Sequence, residues 1–231
     1  MDVNIQLWAF EGALASAVAG IQDMFVFANR FSTSVSFKVT VTDNPVTQPK
    51  GKPGILIVPP CLDDRWQQAS QSMVEPLQQV YNSGATVAAS CASVFWLAEA
   101  GLLNDRIATT HWALFDRLQQ QYPAIKAVDQ RQLVVDQGRI ITGAGLYAFQ
   151  ELVLHLVTRF DNYGTAKRIA DYAMIDFSGR SQSHFQRFYP DYNHNDGKVL
   201  EVQRLCDAYP EQNWSVSQLA EKLHLSERTL A

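Results

Sequence analysis

Cys91 stands where a short apolar run changes into a helical pattern. Ala85 to Ala89 is apolar and of strand length, Ser90-Cys91-Ala92 ends it, and Ser93 to Ala100 carries helical spacing that stops at Gly101. A strand that turns sharply into a helix lifts the residue at the turn above the sheet edge, which is the geometry of a nucleophile elbow. The turn is tight and needs small neighbours. Ala89 and Ser93 occupy the positions where that motif usually has glycines, so the match is by size and not by letter. A thiol at the start of a helix sits at the positive end of its dipole, which predicts a lowered pKa and some thiolate. Free cysteine is also among the most buried residue types, and spacing alone leaves a core-filling Cys91 as an equal reading.

Acyl transfer at such a thiol needs a base and two N–H donors for an oxyanion. Ala92 N–H can be one donor. Pro60 has no N–H, so in the loop after Ile55–Val58 only Cys61 or a later residue can supply the second. His111 is the remaining candidate base, although a threonine-flanked histidine ahead of Trp112 is more often structural. Glu11 follows the first strand pattern and either reaches the pocket mouth or is a solvated turn carboxylate. His155, at i+4 from Glu151, has the spacing of a satisfied pair on a helix. Trp8, Phe95, Trp96 and Trp112 either line an aromatic pocket or fill the core. No Cys/His/Asp set has metal-ligand spacing and no glycine-rich phosphate loop is present, so neither a metal nor a cofactor is expected.

The elements around these residues follow from periodicity. Asn4 to Phe10 alternates as a strand, Ala17 to Phe31 has apolar residues at helical spacing, and Ser34 to Val41 alternates again. Pro45 to Gly54 is rich in proline and glycine and reads as a connector. Ile55-Leu56-Ile57-Val58 is wholly apolar, as a central parallel strand should be, and Pro59-Pro60 stops it. Residues 70–82 read as a helix. Leu133-Val134-Val135 and Ile140-Ile141-Thr142 form a hairpin pattern through Gln137-Gly138, and helices are expected over Leu146–Phe160 and Thr165–Met174. This rhythm implies an α/β fold: a mostly parallel sheet with helices on both faces and ligands at the carboxyl ends of its strands. The loops carrying Cys61 and Cys91 then share that edge, and a reversible disulfide between them is conceivable from topology.

A chain of 231 residues, 47% apolar, can hold one domain plus a small second unit. Net charge is −4, so the bulk of the chain offers no basic field for nucleic acid. No signal peptide and no membrane-length apolar run is visible, and three cysteines fit a reducing cytoplasm without a disulfide framework. Style changes after Asp176. Residues 177–197 are polar and aromatic without period and read as a linker, leaving 1–176 as the main domain. In 198–231, Val199, Val202, Leu205 and Cys206 make one helical stripe. Ser215 and Gln218 then form a capping-box pattern, and after a short turn Ser226 is a second N-cap. Two short helices so joined have helix-turn-helix layout, or form a hairpin that only packs. Lys198, Arg204, Lys222 and Arg228 are outnumbered there by Glu201, Asp207, Glu211, Glu221 and Glu227, so the positive footprint DNA needs is missing.

Ser90-Cys91, Leu97-Ala98-Glu99-Ala100-Gly101-Leu102-Leu103 and Ala108-Thr109-Thr110-His111-Trp112 together resemble the PfpI-like domain of AraC-type transcriptional regulators, part of the class I glutamine-amidotransferase-like superfamily. Ala19 to Phe25 is similar to that family's first helix, and Phe177 to Phe185 to its exit segment. The resemblance implies a flavodoxin-like three-layer sandwich followed by a helix-turn-helix, with Ser226, Arg228 and Thr229 on the DNA-reading helix. It implies a small-molecule effector, amine or amino-acid-like, held near Cys91, Ala92, Cys61, His111 and Glu11, and a homodimer on a DNA operator. The family continues into a second helix-turn-helix, so a truncated chain with weak DNA binding of its own is expected. Hydrolytic superfamily members commonly place His directly after the nucleophile, where this chain has Ala92, and glycines where it has Pro59-Pro60-Cys61. A sensor is therefore expected over an enzyme. The alternative is a hydrolase or hydratase that uses Cys91, with His111, on a small amide or nitrile-like substrate.

Overall fold

Five-residue apolar runs need burial on both faces, and the sheet provides it. The computed structural model describes residues 1–46, 54–67, 70–185 and 195–230. Strand β1 (Asp2–Trp8) leads to helix α1 (Ala15–Phe31), β2 (Ser36–Thr42), β3 (Gly54–Val58) and α2 (Gln71–Asn82). Then come β4 (Thr86–Ser90), α3 (Val94–Glu99), β5 (Ile107–Ala108), α4 (Phe115–Gln121) and β6 (Ala127–Val128). The unit closes with β7 (Val134–Asp136), β8 (Ile140–Gly143), α5 (Phe149–Phe160) and α6 (Tyr163–Tyr172). Six strands form one sheet in the order β2-β1-β3-β4-β8-β7, all parallel except β7, which returns antiparallel to β8. This is the flavodoxin-like three-layer arrangement expected. The small β5–β6 pair and α4 have no strong pattern and were not foreseen.

Alternation along β3 divides the core. Ile55 and Ile57 point to one face, among Ile5, Ile21, Phe25, Leu152 and Leu156 of the α1/α5/α6 layer. Leu56 and Val58 point to the other, among Leu77, Val80, Phe95, Trp96 and Leu97 of the α2/α3 layer. Trp96 is fully buried, with its ring 4.7 Å from Phe10 and 6.3 Å from Trp8. Phe95 packs edge-on against Trp66 at 4.7 Å. Trp8, Phe95 and Trp96, three of the four aromatics offered as a pocket wall, are thus core: α3 is buried from Val94 to Ala98, so the adjacent Phe95 and Trp96 are both enclosed.

Helix α1 meets α5 closely at Gly20, where an added Cβ would stand 2.7 Å from Phe149 Cε2. Gly20→Ala should cost about 1–2 kcal/mol net, the ring displacement exceeding the gain in helix propensity. Urea unfolding monitored by far-UV circular dichroism tests this; a stabilised variant would contradict the packing.

The chain divides into two compact units, Met1–Gln186 and Arg187–Ala231. Residues 177–185, expected to begin a linker, instead belong to the first. Gln182 is buried, and Ser181 bridges Gln132. The cause is hydrogen bonding rather than apolar burial, which periodicity does not register. The expected Pro45–Gly54 connector and the rest of the expected linker fall largely on 47–53 and 186–194, outside the described residues. In the second unit Asp196 caps α7 (Gly197–Ala208) by accepting from the Lys198 and Val199 N–H groups. Both bonds of the Ser215–Gln218 capping box open α8 (Val216–Lys222). Ser226 Oγ accepts from Thr229 N–H at 3.1 Å to open α9 (Glu227–Leu230). Among the described residues no helix is long and apolar enough to cross a membrane.

Candidate functional site

Strand β4 ends at Ser90, and Cys91 takes φ +58°, the left-handed region, before a short 3-10 turn runs into α3. A non-glycine residue there is held at a cost of about 1 kcal/mol. This is elbow geometry. Three contacts fix it. Ser93 Oγ donates to Pro59 O at 2.6 Å, tying the elbow to the loop after β3. Thr110 Oγ1 donates to Cys91 O at 2.7 Å. Gly143 of β8 lies beside Ser90, where an added Cβ would be 3.0 Å from Ser90 Cβ.

The thiol does not behave as its place on the helix suggests. Cys91 is 5% exposed. Burial pushes its pKa up to about 11, against a backbone hydrogen bond from Ala92 that lowers it. The expected lowering is overturned because desolvation of a buried thiolate outweighs the dipole of a six-residue helix. No hydrogen bond among the described residues joins Cys91 to His111. His111 instead caps the turn at Trp112–Leu114, its Nδ1 accepting from Ala113 N–H at 3.2 Å. Burial lowers the His111 pKa, so the ring is neutral at pH 7. Of the donors expected in the loop after β3, Leu62 N–H is taken by Gly12 O.

Cys61 is buried and its thiol donates to Asp63 Oδ1 at 3.2 Å. Its pKa is pushed up to about 12, by burial first and then by that carboxylate. Both cysteines are free. Glu11 is exposed and pairs with Arg65 at 3.5 Å, on the Cys61 side of the edge. His155 and Glu151 are not partners. His155 Nε2 lies 2.7 Å from Asp136 Oδ2, and Glu151 Oε1 accepts from Arg180 Nη2.

Iodoacetamide should therefore label Cys91 slowly at pH 7 to 8, with the rate rising towards pH 11. Folding linkage has the same origin. The folded thiol pKa lies above the unfolded value of 9.0. The stability it contributes, about 2–3 kcal/mol, is present below pH 9 and lost as pH climbs through 9 to 11. Residue-resolved mass spectrometry across pH reads the labelling; an inflection below pH 8 would overturn the inert thiol.

A cavity of about 310 Å³ opens on the other side of His111. His111, Trp112 and Tyr147 form part of its wall, and Glu151, Arg180 and Gln182 supply the polar groups. Gly145 permits it, since a Cβ there would meet His111 Cδ2 at 3.3 Å. Of the expected effector residues only His111 lines this cavity; Cys91, Ala92, Cys61 and Glu11 do not. Hydrogen bonds nevertheless run from the elbow to it. Thr110 holds Cys91 O, and its neighbour Thr109 accepts from Gln182 Nε2 at 2.8 Å. Gln182 also donates to Gln132 O at 3.0 Å. Glu151, Arg180 and Gln182 were missed as site residues because two of them sit in the segment taken for a linker.

The parallel sheet, the strained cysteine turn and the residues around it define a DJ-1/PfpI-type fold. The chain belongs to the DJ-1/PfpI family, whose model matches residues 32–159. It is 29% identical over 161 residues to the HTH-type transcriptional regulator CdhR of Pseudomonas aeruginosa, covering 69% of this chain and 47% of that protein. It is also 29% identical over 140 residues to isonitrile hydratase of Pseudomonas putida, covering 60% of this chain and 57% of the enzyme. A crystal structure of an AraC family transcriptional regulator from Pseudomonas putida superposes with a TM-score of 0.59 at 18% identity, over 74% of this chain and 98% of that one. The chain spans about half the length of the curated regulator it matches.

Proposed function

We propose that this protein is the sensing part of a DNA-binding transcriptional regulator, and that its effector is a small amine or amino-acid-like metabolite. The observation that carries this is the separation of thiol and cavity. Cys91 is un-ionised at neutral pH, and among the described residues no base is bonded to it. The His111–Glu151–Arg180 cavity, by contrast, presents opposite charges to a small molecule. The effector site of this reading is therefore centred on that cavity, with the elbow behind it through Thr109 and Thr110. Similarity to a transcriptional regulator supports the regulatory role. So does the pair α8–α9, whose Ser226, Arg228 and Thr229 are exposed, as residues facing a major groove must be. The homodimer expected from the resemblance belongs to the same proposal.

A cysteine-dependent hydratase is the second reading, supported by the left-handed Cys91 and the likeness to isonitrile hydratase. A thermal-shift screen of nitrogen metabolites, run beside turnover assays on amides, nitriles and isonitriles, separates the two. The sensor reading expects a stabilising metabolite and no turnover. Turnover abolished by Cys91→Ala would replace it with the enzyme.

A further inference from the structure

A second hollow, of about 250 Å³, lies beyond Glu151 and Arg180, which line both it and the 310 Å³ cavity. Three parts of the chain wall it. Helix α5 contributes Glu151, His155 and Thr158, spaced i, i+4 and i+7 on one helical face. Strand β7 and the residue before it contribute Val134 and Leu133, and the chain after α6 contributes Phe177 and Arg180. Phe177 is held by stacking on Tyr163, with ring centroids 5.7 Å apart.

Two polar atoms in this wall are free and open. His155 Nε2 lies 2.7 Å from Asp136 Oδ2, and a carboxylate only accepts, so Nε2 carries the proton. In the neutral ring Nδ1 is then an acceptor. It has no partner among the described residues, and it is not one of the enclosed unpartnered atoms. Asp136 does not line the hollow, so the Nε2 bond is made outside it. Arg180 Nη2 donates to Glu151, while Nη1 has no acceptor among the described residues and is not enclosed either.

We infer that this second hollow binds a small phenol, its hydroxyl donating to His155 Nδ1 and accepting from Arg180, its ring among Leu133, Val134 and Phe177. The inference is independent of the regulator reading, since a sensor or a hydratase could carry such a site. The chemistry narrows the class. A hydroxyl is donor and acceptor at once, so a single oxygen meets both free atoms. A carboxylate can bond Arg180 but turns lone pairs towards Nδ1, and it adds negative charge beside Glu151 and Asp176, which also line the hollow. An ammonium can donate to Nδ1 but has no lone pair for Nη1. An aliphatic alcohol meets both atoms but gains less against the Phe177 ring. Size agrees: an apolar hollow of about 150 Å³ already holds benzene, so 250 Å³ admits a single substituted ring.

The 231-residue chain is titrated calorimetrically with 4-methylphenol, 4-methylanisole, 4-methylbenzoate, 4-methylbenzylamine and 4-methylcyclohexanol. The phenol should bind at least about tenfold tighter than its methyl ether, the carboxylate and the amine, and several-fold tighter than the cyclohexanol. His155→Leu should weaken the phenol by about tenfold and leave the ether unchanged, so that the preference between them disappears. Thr158→Phe, which puts a ring into the hollow, should abolish binding, whereas Ala148→Phe, which fills the 310 Å³ cavity, should leave it. Circular dichroism verifies that each variant folds, and Val134→Phe takes the place of Thr158→Phe if that one does not. The comparison of ligands needs no variant at all. No binding of 4-methylphenol at millimolar concentration overturns the site, as does an ether or carboxylate that binds as well. A preference for the phenol that survives in folded His155→Leu also overturns it. So does binding lost in Ala148→Phe and kept in Thr158→Phe, which would put the phenol in the other cavity.

Discussion

Gly143→Val is expected to cost about 3–4 kcal/mol of folding stability, near the upper end for a single over-packing change. Gly143 ends β8 and pairs in register with Ser90 of β4. Even an alanine Cβ would lie 3.0 Å from Ser90 Cβ and 3.7 Å from Ala89 O, and valine adds two methyl groups in the same space. Neither strand can yield easily. β4 is buried along its whole length, and Ser90 leads directly into the left-handed Cys91. The strain should therefore appear at the elbow as well as in stability. Cys91 in the folded variant should label with iodoacetamide faster than in the parent. Guanidinium unfolding gives the stability; a variant within 1 kcal/mol of the parent would mean that β4 and β8 are not held together as described.

Arg180→Leu is expected to cost about 2–3 kcal/mol. The figure comes from the 3–5 kcal/mol typical of breaking a buried ion pair, reduced because the Arg180 side chain is 35% exposed. The loss arises from Glu151, whose side chain is only 11% exposed and would be left without its partner. The double substitution Glu151→Gln with Arg180→Leu should recover part of the loss, since a neutral amide is cheaper to bury than a lone carboxylate. Recovery in the double variant distinguishes this cause from simple loss of packing by the arginine stem. Urea denaturation of the four proteins gives the coupling energy; additive effects would show that the two residues do not act as a pair.

How much could be read from residues alone depends on what kind of force organised each part. Ile55–Val58 and Ala85–Ala89 announce buried parallel strands because apolar runs bounded by Pro59 and Gly84 admit few other placements. The elbow followed from small residues between a strand and a helix, and Cys91 has the expected turn. The thiol's ionisation did not follow, because it depends on burial, which is a tertiary quantity; the rank of desolvation over a short helix dipole is decided by neighbours such as Thr110 and Ala92. Trp8, Phe95 and Trp96 were ambiguous for the same reason. The cavity lay hidden because its polar wall is assembled from α5, the Thr109–Trp112 segment and residues 180–182, which have no common period. Glu151 illustrates this. Four residues before His155 it invited a local pairing, yet each chose a partner from elsewhere in the chain, Arg180 and Asp136.

The central claim is that small molecules bind at the His111–Arg180 cavity and not at the thiol. Isothermal titration of a metabolite found by the screen, against the parent chain, Cys91→Ala and Ala148→Phe, tests it most directly, since Ala148 lines the cavity and a phenyl ring there would fill it. The affinity should be unchanged in Cys91→Ala and lost in folded Ala148→Phe. Binding that survives Ala148→Phe and disappears with Cys91→Ala would contradict the account.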